Sequence, residues 1–283
     1  MLLLIDLQHI YYRCWFTRDR HAELLTSSGR NVAHVKVVYD ECLKIVDDVT
    51  FRYDADKVSV AVCCEGAGSI KKELYPEYKA NRTNRLDANN YTEIAYIAGA
   101  LEKLGATTIA VNGYEADDVV YTLTKHFNGQ ETVVYTNDAD LLMHVNENVD
   151  VWIRRNAEYR PVTRKRFAKQ ASFICKRDAW YNDIVMYKSC VGDTSDNIKG
   201  VRGYGGAAYS KRLHLLEEQY PNLEIPTGST EVLKFAEEYM AFTPDKLQEF
   251  EHSLKMVSPL YCPACEGVDL RAVPISNFSR RRK

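Results

Sequence analysis

Carboxylate side chains follow or border apolar runs at several places along this chain of 283 residues. They are Asp6, Glu65, Glu115, Asp117, Asp118, Asp138, Asp140, Asp193 and Asp196. If the fold brings these groups together, they repel one another unless positive charge lies between them. Oxygen ligands suit Mg²⁺ and Mn²⁺, and two such ions can bind both oxygens of an in-line phosphoryl displacement. The pattern therefore predicts a metal-dependent nuclease.

Each acidic group also has an ordinary structural explanation. The helix macrodipole favours acids in a first turn, but the sequence Glu115-Ala-Asp-Asp118 carries more acids than that effect accounts for. A helix N-cap explains Asp138 alone and leaves Asp140 unexplained. At these two places a ligand role is favoured. Asp193 and Asp196 stand next to turn residues, so for this pair a plain turn and a metal site both remain open.

Basic and aromatic residues alternate in 71–91, which reads KKELYPEYKANRTNRLDANNY. Aromatic rings between cations are typical of a surface that stacks bases and follows phosphates, although a solvated surface loop has the same composition. Because the segment follows Glu65, it would place positive charge beside the acids. Further along, glycines predict a tight turn between two helices, whose backbone N–H groups could bind a phosphate. These glycines are Gly200, Gly203, Gly205 and Gly206.

Composition narrows the class of protein. Apolar residues make up 46% of the chain, enough for a sizeable core, and the net charge of −2 argues against an overall basic coat for nucleic acid. The CxxC of Cys262 and Cys265 has only His252 nearby, so the four ligands of a zinc site are not in view. Asp6 interrupts the apolar start, which predicts no signal peptide, and no apolar run approaches the ~20 residues of a membrane helix. We expect a protein of a reducing cytoplasm, the host cytoplasm if it is phage-encoded.

The elements that must position the acids alternate between strands and helices. Apolar β-branched runs predict strands at 2–5, 57–62, 107–111, 132–136 and 149–153, and helical patterns fill 32–49, 92–104 and 114–127. This order predicts an α/β fold with a mostly parallel central sheet flanked by helices. Ligands of such sheets bind at the carboxyl ends of the strands, where most of the acids fall.

The carboxyl half has a different character, with helical patterns at 178–190, 206–220, 231–239 and 246–257. We therefore predict an α/β nuclease core in 1–162 and a helical DNA-binding subdomain in 163–283. The core includes a basic arch-like segment, 66–92. The subdomain includes a helix-turn-helix within 189–220 and a basic tail at the end of the chain.

Five motifs together resemble the 5′ nuclease family, which comprises flap endonucleases, the 5′-exonuclease domain of bacterial DNA polymerase I and phage 5′-3′ exonucleases. They are LLIDLQHIYYR, LYPEYKANR, YEADDVV, TNDADLL and VGDTSDNIKGVRGYG, in the family's order. The resemblance spans roughly residues 1–258 and is closest in character to the stand-alone phage 5′-3′ exonucleases. It implies a PIN-like core and a C-terminal helical subdomain carrying a helix-three-turn-helix motif.

The resemblance also implies roles for individual residues. The nine carboxylates would hold two Mg²⁺ ions, with Mn²⁺ as a substitute, and Lys79 and Arg82 would stabilise charge at the scissile phosphate. Tyr78 would stack on a base near the cut. The glycine turn would grip duplex phosphates with the help of a K⁺ ion. Further DNA contacts would come from Arg13, Arg85, Lys211 and Arg212, the last two replacing a family lysine that is absent at Ala207 and Ala208.

The leading hypothesis is a monomeric 5′-3′ exonuclease and structure-specific endonuclease that acts on duplex ends, nicks and 5′ flaps of DNA in replication or repair. RNA–DNA hybrids are a further candidate substrate. The span from Lys79 to Glu115 is short for a full arch, which favours exonuclease action over flap threading. The glycine turn and the helical carboxyl half argue against a PIN-type ribonuclease. A non-catalytic DNA-junction-binding protein would be expected to lack some of the acids, yet every expected cluster is filled. The sequence Asp6-Leu7-Gln8 lacks the second Asp that a haloacid-dehalogenase phosphatase needs, which argues against that class of enzyme.

Overall fold

A twisted sheet of mostly parallel strands forms the centre of the protein in a computed structural model that describes residues 1–16, 33–82, 86–155, 158–175 and 177–278. The strand order is β3-β2-β1-β4-β5-β6, and β6 alone runs antiparallel to its neighbour on this path. The prediction of five parallel strands is confirmed. The strands are β1 (Leu2–Asp6), β2 (Lys57–Glu65), β3 (Thr107–Val111), β4 (Thr132–Thr136), β5 (Val149–Arg155) and β6 (Glu158–Val162).

Helices cover both faces of this sheet, and the central strand shows why its sequence is apolar throughout. Leu3 and Ile5 of β1 belong to one buried cluster, whereas Leu2 and Leu4 belong to the cluster on the opposite face. A parallel strand covered on both faces needs apolar residues at consecutive positions, not at alternate ones. Packing on both faces holds β1 in place, and with it Asp6, the last residue of the strand.

The helices are α1 (Leu7–Phe16), α2 (Ala33–Arg52), α3 (Ile70–Leu74), α4 (Ala88–Glu102), α5 (Ala116–His126), α6 (Phe167–Cys175), α7 (Ile184–Val191), α8 (Gly206–Gln219), α9 (Ser229–Tyr239) and α10 (Pro244–Val257). The helix predicted at 178–190 begins later, at Ile184, and α1, α3 and α6 were not predicted. Within the described ranges, no helix combines the length and the apolar character needed to span a membrane.

The packing of the helical carboxyl half does not follow the predicted domain boundary at 162/163. Helices α7 to α10 share a core of their own, but α6 packs on the sheet through Phe167 and Ala171. After α10 the chain returns to the sheet, where β7 (Val273–Pro274) pairs antiparallel with the amino end of β2. The helical unit is therefore inserted between two segments that belong to the α/β core. The basic tail falls mostly outside the described residues.

The start of α4 offers a simple test of local stability. Asp87 accepts hydrogen bonds from the backbone N–H groups of Asn89 and Asn90 at 2.8 and 3.0 Å, and Asn90 bonds back to the Asp87 N–H. Asp87→Ala should lower the free energy of unfolding by about 1 kcal/mol, because the cap is lost. Urea unfolding measures this, with the exposed Asp56→Ala as control. Equal stability of both variants and the native protein would contradict the prediction.

Candidate active site

An acidic cleft of 190 Å³ opens at the carboxyl edge of the sheet. Its position follows from the register, because Asp6 at the end of β1 lies beside Cys63 of β2, two residues before Glu65. The structure thus brings together most of the predicted metal ligands. Those that line the cleft are Asp6, Glu65, Glu115, Asp117, Asp138, Asp140 and Asp196.

Asp6 is buried at the floor of the cleft. Its carboxylate accepts a hydrogen bond from the Thr136 hydroxyl at 2.7 Å and one from the His9 backbone N–H at 3.2 Å. Burial nevertheless raises the pKa of Asp6, because the charged form is separated from water. A nearby cation would therefore stabilise the ionised carboxylate.

His9 is a cleft residue that the sequence did not reveal. Its Nε2 atom lies 3.1 Å from Oδ2 of Asp138. Burial lowers the pKa of His9, but the charges of Asp138 and Asp6 outweigh it and raise the pKa to about 10. The two carboxylates thus favour the protonated imidazole. The backbone N–H of His9 donates to Asp6, so the first turn of α1 brings the imidazole to the acids, and no pattern in the sequence marked it.

Lys79 also lines the cleft, so the basic segment does place positive charge beside the acids. Its Nζ atom is 2.7 Å from both carboxylate oxygens of Glu115. Its backbone has a φ of 54°, in the left-handed region that non-glycine residues rarely adopt, and its N–H donates to the Asp196 carbonyl at 2.8 Å. Such strain persists where the surroundings hold a residue in place, and it clusters at functional sites. Arg82, the second predicted cation, pairs with the Asp196 carboxylate.

Lys188 of α7 was also missed. It bridges the carboxylates of Asp140 and Asp193, which come from different parts of the chain. Asp193 further accepts hydrogen bonds from the Ser195 N–H at 2.8 Å and its hydroxyl at 2.6 Å. Burial and the neighbouring Asp138 raise the pKa of Asp140 to about 7 despite this lysine. Lys188 is the one charged residue of α7, but the longer helix predicted at 178–190 also contained Asp178 and Asp183.

Asp118 does not line the cleft, in contrast to its predicted role as a metal ligand. Its side chain accepts hydrogen bonds from the Glu115 N–H at 3.0 Å and the Leu260 N–H at 2.6 Å. The residue is 0% exposed. Glu115 is the N-cap of α5, so Asp118 folds back to complete a capping box and also holds the chain that follows α10.

Tyr78 does not present its ring to the cleft. It is 2% exposed and packs with Ile198 and Met256, while its hydroxyl donates to Glu115 at 2.9 Å. The structure thus contradicts the predicted stacking of Tyr78 on a base, because no face of the ring is open. Arg85, the next predicted contact, lies outside the described residues.

Arg13 points to a buried carboxylate instead of the cleft. Glu41 of α2 pairs with both Arg13 and Arg154, and it also accepts a hydrogen bond from the Tyr135 hydroxyl. Two guanidinium groups on one carboxylate leave a net positive charge beside the edge of the sheet. The predicted DNA contact of Arg13 stays a prediction.

The glycine turn connects α7 to α8. A Cβ atom on Gly200 would lie 2.4 Å from the backbone nitrogen of Gly192, so close packing of two backbones requires glycine there. Gly203 has a φ of 74°, and the turn ends with Gly205 as N-cap and Gly206 as the first residue of α8. Lys211 is exposed on α8. Arg212 instead donates to the Tyr239 carbonyl at 2.7 Å, which joins α8 to α9.

A second cavity of 580 Å³ adjoins the acidic cleft and shares Tyr12, Glu65, Lys79, Arg82 and Glu115 with it. Its other walls come from the loop after β2 and from further residues of the segment 71–91. Among the latter are Lys72 and Tyr91. The Tyr91 hydroxyl lies 3.3 Å from Glu65 and donates to it.

Carboxylates outnumber cations in the acidic cleft. Seven carboxylates face three permanent cations, Lys79, Arg82 and Lys188, together with His9. This oxygen-rich set has the chemistry and surplus negative charge that fit hard divalent cations. Among the residues that the structure describes, no three His, Cys, Asp or Glu side chains converge tightly enough to hold an ion as they stand. Lys79 pairs with Glu115, and Lys188 pairs with Asp140 and Asp193.

Residues 1–172 match the profile of the family described as the 5′-3′ exonuclease, N-terminal resolvase-like domain. The chain belongs to the 5′-3′ exonuclease family. Among its curated relatives is DNA polymerase I of Caldicellulosiruptor bescii, 33% identical over 87% of this chain and 28% of the polymerase. The chain likewise spans 20% and 22% of the DNA polymerases I of Treponema pallidum and Thermus caldophilus. A 5′-3′ exonuclease of Bacillus subtilis is 28% identical over 79% of this chain and 71% of that protein.

Solved structures show that the fold is that of this nuclease family. The bacteriophage T5 5′-exonuclease with bound divalent zinc ions aligns with a TM-score of 0.56 at 15% identity, over 90% of this chain and 86% of that one. A complex of the bacteriophage T5 flap endonuclease with DNA and metal ions aligns equally well, at 17% identity over 90% and 85% of the two chains. The likeness confirms the parallel sheet with flanking helices.

Proposed function

We propose that the protein is a divalent-metal-dependent 5′-3′ exonuclease and structure-specific endonuclease that hydrolyses DNA in replication or repair. The observation that carries this proposal is the convergence of seven carboxylates with Lys79 and Arg82 in one cleft at the carboxyl edge of the sheet. A non-catalytic binding protein on this scaffold would have no use for so many partly buried acids. The T5 enzymes, which bind divalent metal ions and in one case DNA, support the same reading.

The residues that would hold two divalent ions, Mg²⁺ with Mn²⁺ as substitute, are the cleft carboxylates and Asp193. Asp6, Asp117, Asp138 and Asp140 stand at the ends of β1 and β4 and in the first turn of α5. Glu65, Glu115, Asp193 and Asp196 complete the set. When bound, the ions would supply the Lewis acidity and activated water that phosphodiester hydrolysis needs. Asp118 leaves this proposed set, since its carboxylate faces away.

The cationic side chains of Lys79 and Arg82 would contact the substrate phosphate directly. Lys79 is held by Glu115 and by its strained backbone, so its ammonium group is already placed before a phosphate arrives. A preorganised donor stabilises the charge that develops on the phosphate oxygens at little reorganisation cost. Arg82, half-exposed at the rim, would contact the same or the adjacent phosphate.

One comparison tests the proposed function. We expect the protein to release short 5′-phosphorylated products from 5′-labelled nicked duplex, from a 5′ flap and from an RNA–DNA hybrid in Mg²⁺, and none in EDTA. The dependence follows from the surplus of negative charge in the cleft, which would otherwise repel the phosphate. Mn²⁺ added back after EDTA is the control for loss of folding. Undiminished cleavage in EDTA, or cleavage only from 3′ ends, would contradict the proposal.

We further propose that the glycine turn grips duplex DNA, as a helix-three-turn-helix that also binds K⁺, and that the protein acts as a monomer. The backbone N–H groups at the start of α8 are the donors, because Gly205 and Gly206 carry no Cβ to block a phosphate. A Cβ on Gly205 would meet nothing within 4 Å, and its φ is −81°, so substitution there leaves the fold intact.

Gly205→Val should therefore weaken binding to a long duplex arm by about 10-fold and spare an arm too short to reach the turn. Replacing K⁺ by Na⁺ at constant ionic strength should have the same selective effect. Fluorescence anisotropy with long-arm and short-arm duplexes measures both. If both substrates respond equally to K⁺, and Gly205→Val binds like the native protein, the turn is only a helix connector.

A further inference from the structure

The buried surroundings of Asp118 suggest a role in the reaction other than metal binding. Besides its two backbone hydrogen bonds, the Asp118 carboxylate lies 3.7 Å from Nζ of Lys71 in α3. Both side chains are almost fully buried, with exposures of 2% for Lys71 and 1% for Asp118. A buried ion pair is costly to desolvate and is weak evidence for stability, so its presence calls for another explanation.

The ion pair adjoins Tyr78, whose hydroxyl donates to the cleft residue Glu115. Nζ of Lys71 lies 5.5 Å from the centre of the Tyr78 ring, and Nζ of Lys79 lies 4.8 Å from the same ring. Both distances are within the range of a cation–π interaction. The Tyr78 hydroxyl donates to Glu115, and both oxygens of Glu115 bind Lys79. Contacts are therefore continuous from Asp118, through Lys71 and Tyr78, to Lys79.

We propose that Asp118 and Lys71 are positioning residues that fix Tyr78 and, through it, the Lys79–Glu115 pair at the scissile phosphate. This inference rests on the proposed nuclease function. Asp118 holds the backbone of Glu115, and Lys71 packs against the ring of Tyr78, whose hydroxyl donates to the same Glu115. Because Asp118 also holds the Leu260 N–H, the same carboxylate ties the chain leaving the helical unit to this wall.

The test uses a double variant, Lys71→Met with Asp118→Asn. Removing both charges together avoids leaving one buried charge unpaired, so the protein should fold. We expect the single-turnover rate at saturating enzyme to fall about 10- to 100-fold, since small misplacements of catalytic groups have effects of that size. The dissociation constant for a nicked duplex should stay within about 2-fold, because neither residue would touch DNA.

A cycle with Lys79→Ala separates positioning from a general structural effect. If Lys71 and Asp118 act through Lys79, adding their double substitution to Lys79→Ala should change the rate by about 2-fold or less. If they act independently of Lys79, the two losses should multiply. Hydrogen exchange provides a readout that does not depend on activity: the amides of 75–82 should exchange faster in the double variant.

The exposed pair Lys36 and Asp40, whose side chains are 72% and 29% exposed on α2, provides a matched control. Lys36→Met with Asp40→Asn makes the same chemical changes away from the cleft and should keep the native rate. Multiplied losses in the cycle, an unchanged rate in the Lys71/Asp118 variant, or unfolding of that variant would overturn the inference. If the native protein cleaves no substrate, the proposed function is contradicted. If Lys79→Ala cleaves at the native rate, the proposed role of Lys79 is contradicted. In either case the inference no longer holds.

Discussion

Asp117→Asn should reduce the rate of DNA cleavage by about 10³-fold or more, the size expected when a main electrostatic group of an active site is removed. Asp117 is the acid of α5 that lines the cleft, whereas its neighbour Asp118 turns away. The substitution preserves the shape of the side chain and its acceptance of the Asp118 N–H, an existing contact of 2.9 Å. Binding should be retained or slightly tighter, because one negative charge no longer opposes the phosphate.

Single-turnover cleavage and anisotropy, both in Mg²⁺, measure these two effects. Asp269→Asn is the control, since Asp269 is exposed and pairs with Arg271 away from the cleft. A rate within about 3-fold of the native protein for Asp117→Asn would show that this carboxylate neither binds an ion nor shapes the cleft.

Lys79→Ala should slow the chemical step by about 10²- to 10³-fold and weaken binding much less. The reason is that the ammonium group contributes most where negative charge develops on the phosphate, which happens in the transition state. Glu115 would lose its partner in this variant, so part of the loss would come from a carboxylate left without its cation.

Lys79→Arg distinguishes these contributions, because it keeps the charge and changes the geometry. The exposed Lys103→Ala is the control for removing a lysine. The salt dependence of binding should be nearly the same for Lys79→Ala and the native protein. An unchanged single-turnover rate would show that the LYPEYKANR motif does not place a catalytic lysine at this position.

The sheet and its acidic edge could be predicted from sequence because both depend on local patterns. Apolar runs such as that ending at Asp6 mark buried parallel strands, and parallel strands end at the same edge whatever their order. Strand β6 was not predicted, because its sequence contains Pro161 and fits only an edge strand. Helix α3 spans only one turn, too short for a periodic pattern to show.

The internal arrangement of the site could not be predicted, since it depends on contacts between distant segments. Lys188 meets Asp140 across 48 positions of the chain, and no property of either residue specifies the other. The error over Asp118 has a local cause. The spacing of three residues assumes that Glu115 is helical, but as N-cap it has extended backbone angles, so the two side chains do not share a face.

The antiparallel pairing of β7 with the amino end of β2 has a practical consequence. Met1 accepts a backbone hydrogen bond from Ser59, and Phe278 is buried in the cluster that Met1 packs against. Residues 1 and 278 therefore lie at the edge of the sheet opposite the acidic cleft. A fluorophore, affinity handle or surface tether attached at Met1 would be remote from the chemistry. Immobilising the protein through such a tether should leave the cleft facing solution.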